Sequence, residues 1–219
     1  MANPFPDPDL SADHVLRTTR AVRKRLDFDR PVPHEVIREC LEIALQAPTG
    51  SNAQNWSWII VTDAAKRARL AELYRQTAEP YLKHMIPATA AKVSESDPAY
   101  GKQIGRVADS AVYLMDVLAE VPVHVIPCLQ IPPGTPQSNM AGASIYPAVW
   151  SFQLALRSRG LGSTLTTLHL LKEKEAAELL GLPEDIRQFA LLPVAYTTVD
   201  DFKAAKRQPL DSVLHWNQW

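Results

Sequence analysis

At 219 residues, 46% of them hydrophobic and 21% charged, the chain can bury the core of one folded domain and lacks the composition of a disordered one. A formal net charge of -1 argues against a globally basic binder of nucleic acid or anionic membrane. The two cysteines, Cys40 and Cys128, have no CxxC spacing, so neither a disulfide framework nor a zinc site is indicated and a reducing compartment fits.

In chain order, residues 1–10 carry three prolines and predict an extended arm, after which Ser11 can cap a short helix through Arg17. The N-terminus has prolines and acids where a signal peptide needs a basic start and an apolar run. No later stretch reaches the about 20 apolar residues of a membrane span, so a cytoplasmic protein without a membrane partner is expected. A second helix begins near Pro33, with Val36, Ile37, Cys40, Leu41, Ala44 and Leu45 at helical spacing until Pro48. The loop TGSNAQNW follows. SWIIVTD, from Ser57, predicts a buried strand, and Asp63 caps a helix from Ala64 to Ala78 that should end at Pro80.

Residues 80–120 read as helical but broken at Pro87, Pro98 and Gly101, the pattern of a mobile lid. VPVHVIPCLQI, from Val121, is β-rich, and Pro122 and Pro127 place it near a sheet edge or kink it. IPPGTPQSNM (131–140) is a loop, and Ala143–Ser158 is a helix with apolar residues on both sides. It closes on Arg157, Arg159 and Gly160, a cationic last turn before a glycine. LGSTLTTLHL predicts a strand, Lys172–Leu180 a helix stopped by Gly181, and QFALLPVAY the last strand. The tail 204–219 holds Val213, Leu214, Trp216 and Trp219 outside any self-contained element, apolar surface that needs a neighbour. Mixed strands and helices without a repeat predict a single α+β layered domain over 1–219.

Four segments carry candidate chemistry: RTTRAVRKRL (17–26), APTGSNAQNW (47–56), RGLGSTLTTL (159–168) and AAKRQPLDSVLHW (204–216). Residues 17–30 hold six basic residues against Asp27 and Asp29. Such a run is more often a solvated face than a site, but guanidinium forks also suit a phosphate. Gly160 and Gly162 can equally be a helix cap and a tight turn, and Asn52 and Gln54 plain loop caps. GLGSTL is not GxGxxG, so no Rossmann site is supported, and HExxH, GxxxxGK[ST] and GxSxG are absent. The six histidines show no ligand spacing; His169, just after the segment 159–168, is the one worth testing as a proton donor.

In this order and spacing, the four segments resemble the FMN-dependent nitroreductase family: an RRSxR-like start, a PSxxNxQPW-like loop, and an arginine before a PLxEVxHW-like tail. The resemblance spans residues 15–216. It implies a three-layer α-β-α fold with a central, mostly antiparallel sheet flanked by helices, in a homodimer with a swapped C-terminal tail at 204–219. Thr19, Arg20, Ala21 and Arg23 fall on the RRSxR positions, with Arg20 and Arg23, joined by Arg207 and its neighbour Lys206, as a clamp for the FMN phosphate. Two family side chains are replaced, by Thr19 and Ala21. Pro48, Thr49, Gly50 and Asn52 fall on the loop that meets the flavin of the partner subunit, and Asn55 replaces a proline, which implies a looser turn. Leu165, Thr166 and Thr167 match the segment under the isoalloxazine, with the Thr167 N–H directed at N5.

The implied activity is hydride transfer from NAD(P)H, through FMN, to nitroaromatics, quinones or similar electron-poor small molecules, with no catalytic side chain beyond the flavin. Alternatives on the same fold are flavin fragmentation, reductive dehalogenation, enone reduction or a non-enzymatic FMN carrier. A nucleic-acid binder using residues 17–30 is disfavoured by the near-neutral charge and the lack of interleaved aromatics.

Overall fold

The computed structural model describes residues 10–135 and 139–219. The expected N-terminal arm therefore lies outside the described residues except for Leu10, as do residues 136–138 of the loop expected at 131–140. Seven α-helices and six strands follow in the order α1 (Ala12–Thr18), β1 (Leu26–Asp27), α2 (His34–Ala44), β2 (Trp56–Val61), α3 (Ala64–Pro80), α4 (Ile86–Ser94), α5 (Pro98–Val117), β3 (Val123–Gln130), α6 (Asn139–Arg157), β4 (Leu161–Ser163), α7 (Glu173–Leu180), β5 (Ile186–Gln188) and β6 (Leu192–Thr197) among the described residues. Side-chain oxygens of Ser11 and Asp63 accept the N–H of His14 and Lys66 at the starts of α1 and α3, and Gly181 closes α7 with φ of 68°.

Every pairing in the described sheet is antiparallel. β3 lies in the middle, with β2 on one side and β5 and β6 on the other; β4 covers the far side of β6, and β1 extends the row of β3 along β6. Two-residue periodicity then divides the core. Val123, Val125 and Leu129 of β3 face α2 and α6, packing with Ile37, Cys40, Ile145 and Phe152, while Ile126 and Cys128 face α3 and α5, packing with Leu70, Leu73, Leu114 and Met115. The result is the three-layer α-β-α architecture that the sequence suggested.

Several boundaries are corrected. β3 is neither at an edge nor kinked out of the sheet: the Pro127 carbonyl accepts the Phe189 N–H (3.0 Å), so its missing donor faces the break between β5 and β6. α3 ends at Pro80 as expected, but the helical path does not break there: one π-helical turn, Tyr81–Met85, leads into α4, the kind of widening that absorbs a lost backbone bond. Pro87 sits inside α4, and Gly101 inside α5, where a β-carbon would stand 2.8 Å from the Ala90 carbonyl; glycine there permits α5 to lie close against α4. Pro98 does mark a start, behind the Asp97 cap. LGSTLTTLHL is a strand only at Leu161–Ser163, with one further bridge at Thr166 and a short 3-10 turn from Leu168. No helix among the described residues is long and apolar enough to cross a membrane.

Candidate functional site

Segments 17–26 and 159–168, far apart in sequence, meet on the edge of the sheet. The Val22 N–H donates to the Ser163 carbonyl (2.9 Å), laying the basic segment across β4. Glycine at 162 permits that approach: a β-carbon there would stand 2.9 Å from Val22 and from the Thr197 methyl. Beyond β4, Thr166 pairs with Leu191 in both directions (3.0 and 2.8 Å), and its hydroxyl donates to the same carbonyl (2.9 Å). Successive backbone groups in extended chain point to opposite sides. The N–H groups of Leu165 and Thr167 therefore turn away from Leu191, and neither has a hydrogen-bond partner among the described residues.

The same residues border a cleft of about 270 Å³, walled by Leu165–Leu168, by Tyr74 of α3, Tyr81 of the π-turn and Val107 of α5, with Arg23 among its lining residues. Arg23 makes no hydrogen bond or ion pair among the described residues. Burial lowers its pKa from the ordinary arginine value, an effect that the neighbouring Tyr74 opposes; the Tyr74 phenol is in turn pushed up by burial and drawn down by Arg23. A guanidinium remains cationic under such conditions, so the cleft holds a half-buried positive charge without an anionic partner among the described residues.

The other expected residues are placed differently. The Thr19 hydroxyl donates to the Val15 carbonyl (2.7 Å), finishing α1; Ala21 is exposed; and Arg20 Nη1 donates to the Lys203 carbonyl (3.1 Å), bringing the C-terminal segment alongside. Lys206 and Arg207 are exposed, and Arg207 Nη1 bonds only the neighbouring Lys206 carbonyl (3.4 Å) among the described residues. The loop holding Pro48, Thr49, Gly50 and Asn52 does not line the cleft of its own chain. It rests on α6, where Ser144 Oγ accepts the Gly50 N–H (3.2 Å); within the loop Thr49 Oγ1 accepts the Gln54 N–H (3.2 Å), while Asn52 Oδ1 accepts from the Gln54 side chain (3.1 Å) rather than from a backbone group. Ser51, Asn52 and Gln54 hold left-handed φ values of 53°, 52° and 47°. Asn55 does not loosen the turn: its side chain donates to the Gln130 carbonyl and its carbonyl accepts the Gln130 N–H, both at 2.8 Å.

His169 is fully buried, does not line the cleft, and has no partner for either ring nitrogen among the described residues. Burial depresses its pKa to about 4, so it is neutral and poorly placed as a proton donor to the cleft. Sequence reasoning missed Tyr74, Tyr81 and Val107. The seven-residue spacing of the two tyrosines was a visible signal, but only the packing of α3 and α5 turns it toward Arg23.

A family model described as the Nitroreductase family matches residues 16–196. The chain belongs to the nitroreductase family. Among its relatives, the iodotyrosine deiodinase of Thermotoga neapolitana is 26% identical over 181 residues, 83% of this chain and 86% of the relative. A protein of Archaeoglobus fulgidus provisionally named NADH dehydrogenase/NAD(P)H nitroreductase is 25% identical over 209 residues, covering 94% of this chain and 97% of the relative. In three dimensions the chain is similar to oxidised iodotyrosine deiodinase bound to FMN and 3-iodo-L-tyrosine, with a TM-score of 0.70 at 21% identity over 94% of this chain and 98% of that one. The nitroreductase fold is thereby established, and family membership supports an oxidoreductase of the flavoprotein kind.

Proposed function

We propose that this nitroreductase-family chain binds FMN and, as a homodimer, transfers hydride from NAD(P)H to nitroaromatics, quinones or similar electron-poor small molecules. One observation carries the reading: an unpaired, half-buried Arg23 and the unpartnered N–H groups of Leu165 and Thr167 belong to one cleft. A cation without an anion and donors without acceptors suit a flat ring rich in acceptor atoms, which is the character of the flavin isoalloxazine.

Bound there, FMN supplies the two-electron chemistry, accepting and releasing hydride at N5. The Thr167 N–H would then be the donor toward N5, Leu165 and Thr166 would lie against the ring, and Arg23, which lines the same cleft, would meet the polar end of the ring instead of the phosphate expected from the sequence. The phosphate falls to the segment of Thr19, Arg20 and Ala21 together with Lys206 and Arg207. No protein acid or base is required, because the residues orient the ring and exclude water.

Dimerisation is supported by what one chain leaves uncovered. Ile43 and Leu45 at the end of α2, Met140, Tyr146 and Trp150 on α6, and Leu210, Val213, Trp216 and Trp219 in the tail are all more than a third exposed. The strained loop 51–54 is exposed in the same way, and left-handed non-glycine residues persist where surroundings hold them. A second copy covering α6 would bring Pro48, Thr49, Gly50 and Asn52 to the neighbouring flavin and receive the exchanged tail. The free, buried Cys40 and Cys128, whose thiols burial pushes up to about 12, support a reducing cytoplasm as the setting.

The deiodinase relatives favour reductive dehalogenation as a second reading. Purified protein should show flavin absorbance that bleaches under NADH or NADPH and returns with a nitroaromatic. Return only with 3-iodo-L-tyrosine would select the second reading, and a colourless protein without affinity for added FMN would refute both.

A further inference from the structure

A buried guanidinium needs an anion, and Arg157 finds one well outside its own helix. It closes α6 with a side chain only 5% exposed and is ion-paired through Nη2 with Asp201, just beyond β6. The same nitrogen donates to Thr18 Oγ1 (3.4 Å). Asp201 Oδ1 also meets His14 Nε2 of α1 at 3.0 Å and accepts the Phe202 N–H at 2.8 Å, while the Phe202 ring lies 5.4 Å from the guanidinium carbon. One carboxylate oxygen thus ties α1 and α6 to the start of the C-terminal arm.

The arm is held once more two residues later, where Arg20 donates to the Lys203 carbonyl. From residue 204 to 219 no residue is buried. Asp201–Lys203 is therefore the last well-anchored stretch before Lys206 and Arg207. An extended chain spans at most about 3.3 to 3.6 Å per residue, so Arg207 cannot lie more than about 14 Å from the Lys203 contact with Arg20. The anchor limits how far both tail cations can stray from the basic segment at 19–21.

The geometry points to Asp201 as a positioning residue: through Arg157 and His14 it latches the C-terminal arm so that Lys206 and Arg207 serve the phosphate end of the bound mononucleotide. This rests on the FMN reading above and adds a residue that touches neither flavin nor substrate.

Riboflavin carries the same ring without the phosphate, so it separates the latch from the ring site. Flavin-free protein would be titrated with FMN and with riboflavin by fluorescence quenching, as wild type, Asp201→Asn and Asp201→Glu. The latch requires wild type to prefer FMN. It requires Asp201→Asn to lose FMN affinity by about ten-fold, the scale of one lost charged contact, with riboflavin affinity unchanged and Asp201→Glu closer to wild type. In a Lys206→Ala/Arg207→Ala background, Asp201→Asn should have no further effect on FMN. An unchanged FMN to riboflavin ratio in Asp201→Asn, or parallel loss of both ligands, overturns the latch while leaving the FMN reading intact. Wild-type protein that binds neither flavin overturns that reading and the latch with it.

Discussion

Residues 20–23 and 161–168 are held in place by their own chain, through Val22 on Ser163, the close approach at Gly162 and the Thr166–Leu191 bridge. Residues 48–54 and 204–219 stand in contrast. The loop touches α6 through Ser144 but presents three left-handed residues to solvent, and the tail carries two exposed tryptophans. The first region is completed by packing within its own chain, while the second is made of parts that face outward. On the proposed reading, the first region is the finished half of a flavin site and the second is the half that a second copy would complete.

Three changes sharpen that contrast, in decreasing order of expected effect. Gly162→Val attacks the finished half at its tightest point and should lower stability by about 3 kcal/mol, the upper range for overpacking, while displacing Arg23 from the cleft. Urea unfolding with parallel flavin retention would show both losses, and a stable, flavin-replete variant would contradict the role given to Val22. Arg23→Ala should weaken flavin binding by about 1.5 to 3 kcal/mol yet leave the flavin-free melting temperature unchanged or raised, because the guanidinium has no protein anion to lose. Trp216→Ala tests the outward-facing half: it should weaken the dimer by about 2 kcal/mol, seen as dissociation on dilution by sedimentation velocity, with the flavin-free fold intact.

A fourth prediction, apart from that contrast, concerns acid stability. His169 has its folded pKa depressed from 6.5 to about 4, so the unfolded chain binds more protons between those values. The neutral buried ring therefore adds stability above pH 6.5 that is lost as pH falls toward 4. His169→Leu, which sacrifices no hydrogen bond, should flatten the fall of the urea midpoint across that window; an unchanged slope would mean that the ring is hydrated in solution.

How much of this was legible in the sequence differs between the same regions. The helices α2, α3 and α7 could be read because their apolar spacing and their end residues, Asp63 and Gly181 among them, are local signals. Pro87 and Pro127 misled, and Pro80 did not break the helical path, because the cost of a missing N–H depends on what faces it. A π-turn or a gap between strands absorbs that loss, and neither is written in the neighbouring residues. In the site, Arg23 and 165–167 were reachable through motif resemblance. Tyr74 and Val107 were not, since helical faces show which residues are apolar but not which segment they meet. Arg157 could be read as a cationic helix end, whereas its partner Asp201, 44 residues on, required the fold.

Subunit mixing tests the shared site most directly. Arg23→Ala chains would be combined with Thr49→Ala/Asn52→Ala chains, and the mixed dimer isolated by differently tagged subunits. If each flavin is held by the finished half of one chain and the loop of the other, the mixed dimer contains one intact site and should retain about one FMN, more than either parent homodimer. Flavin retention no better than in the parents would contradict a site shared between two subunits.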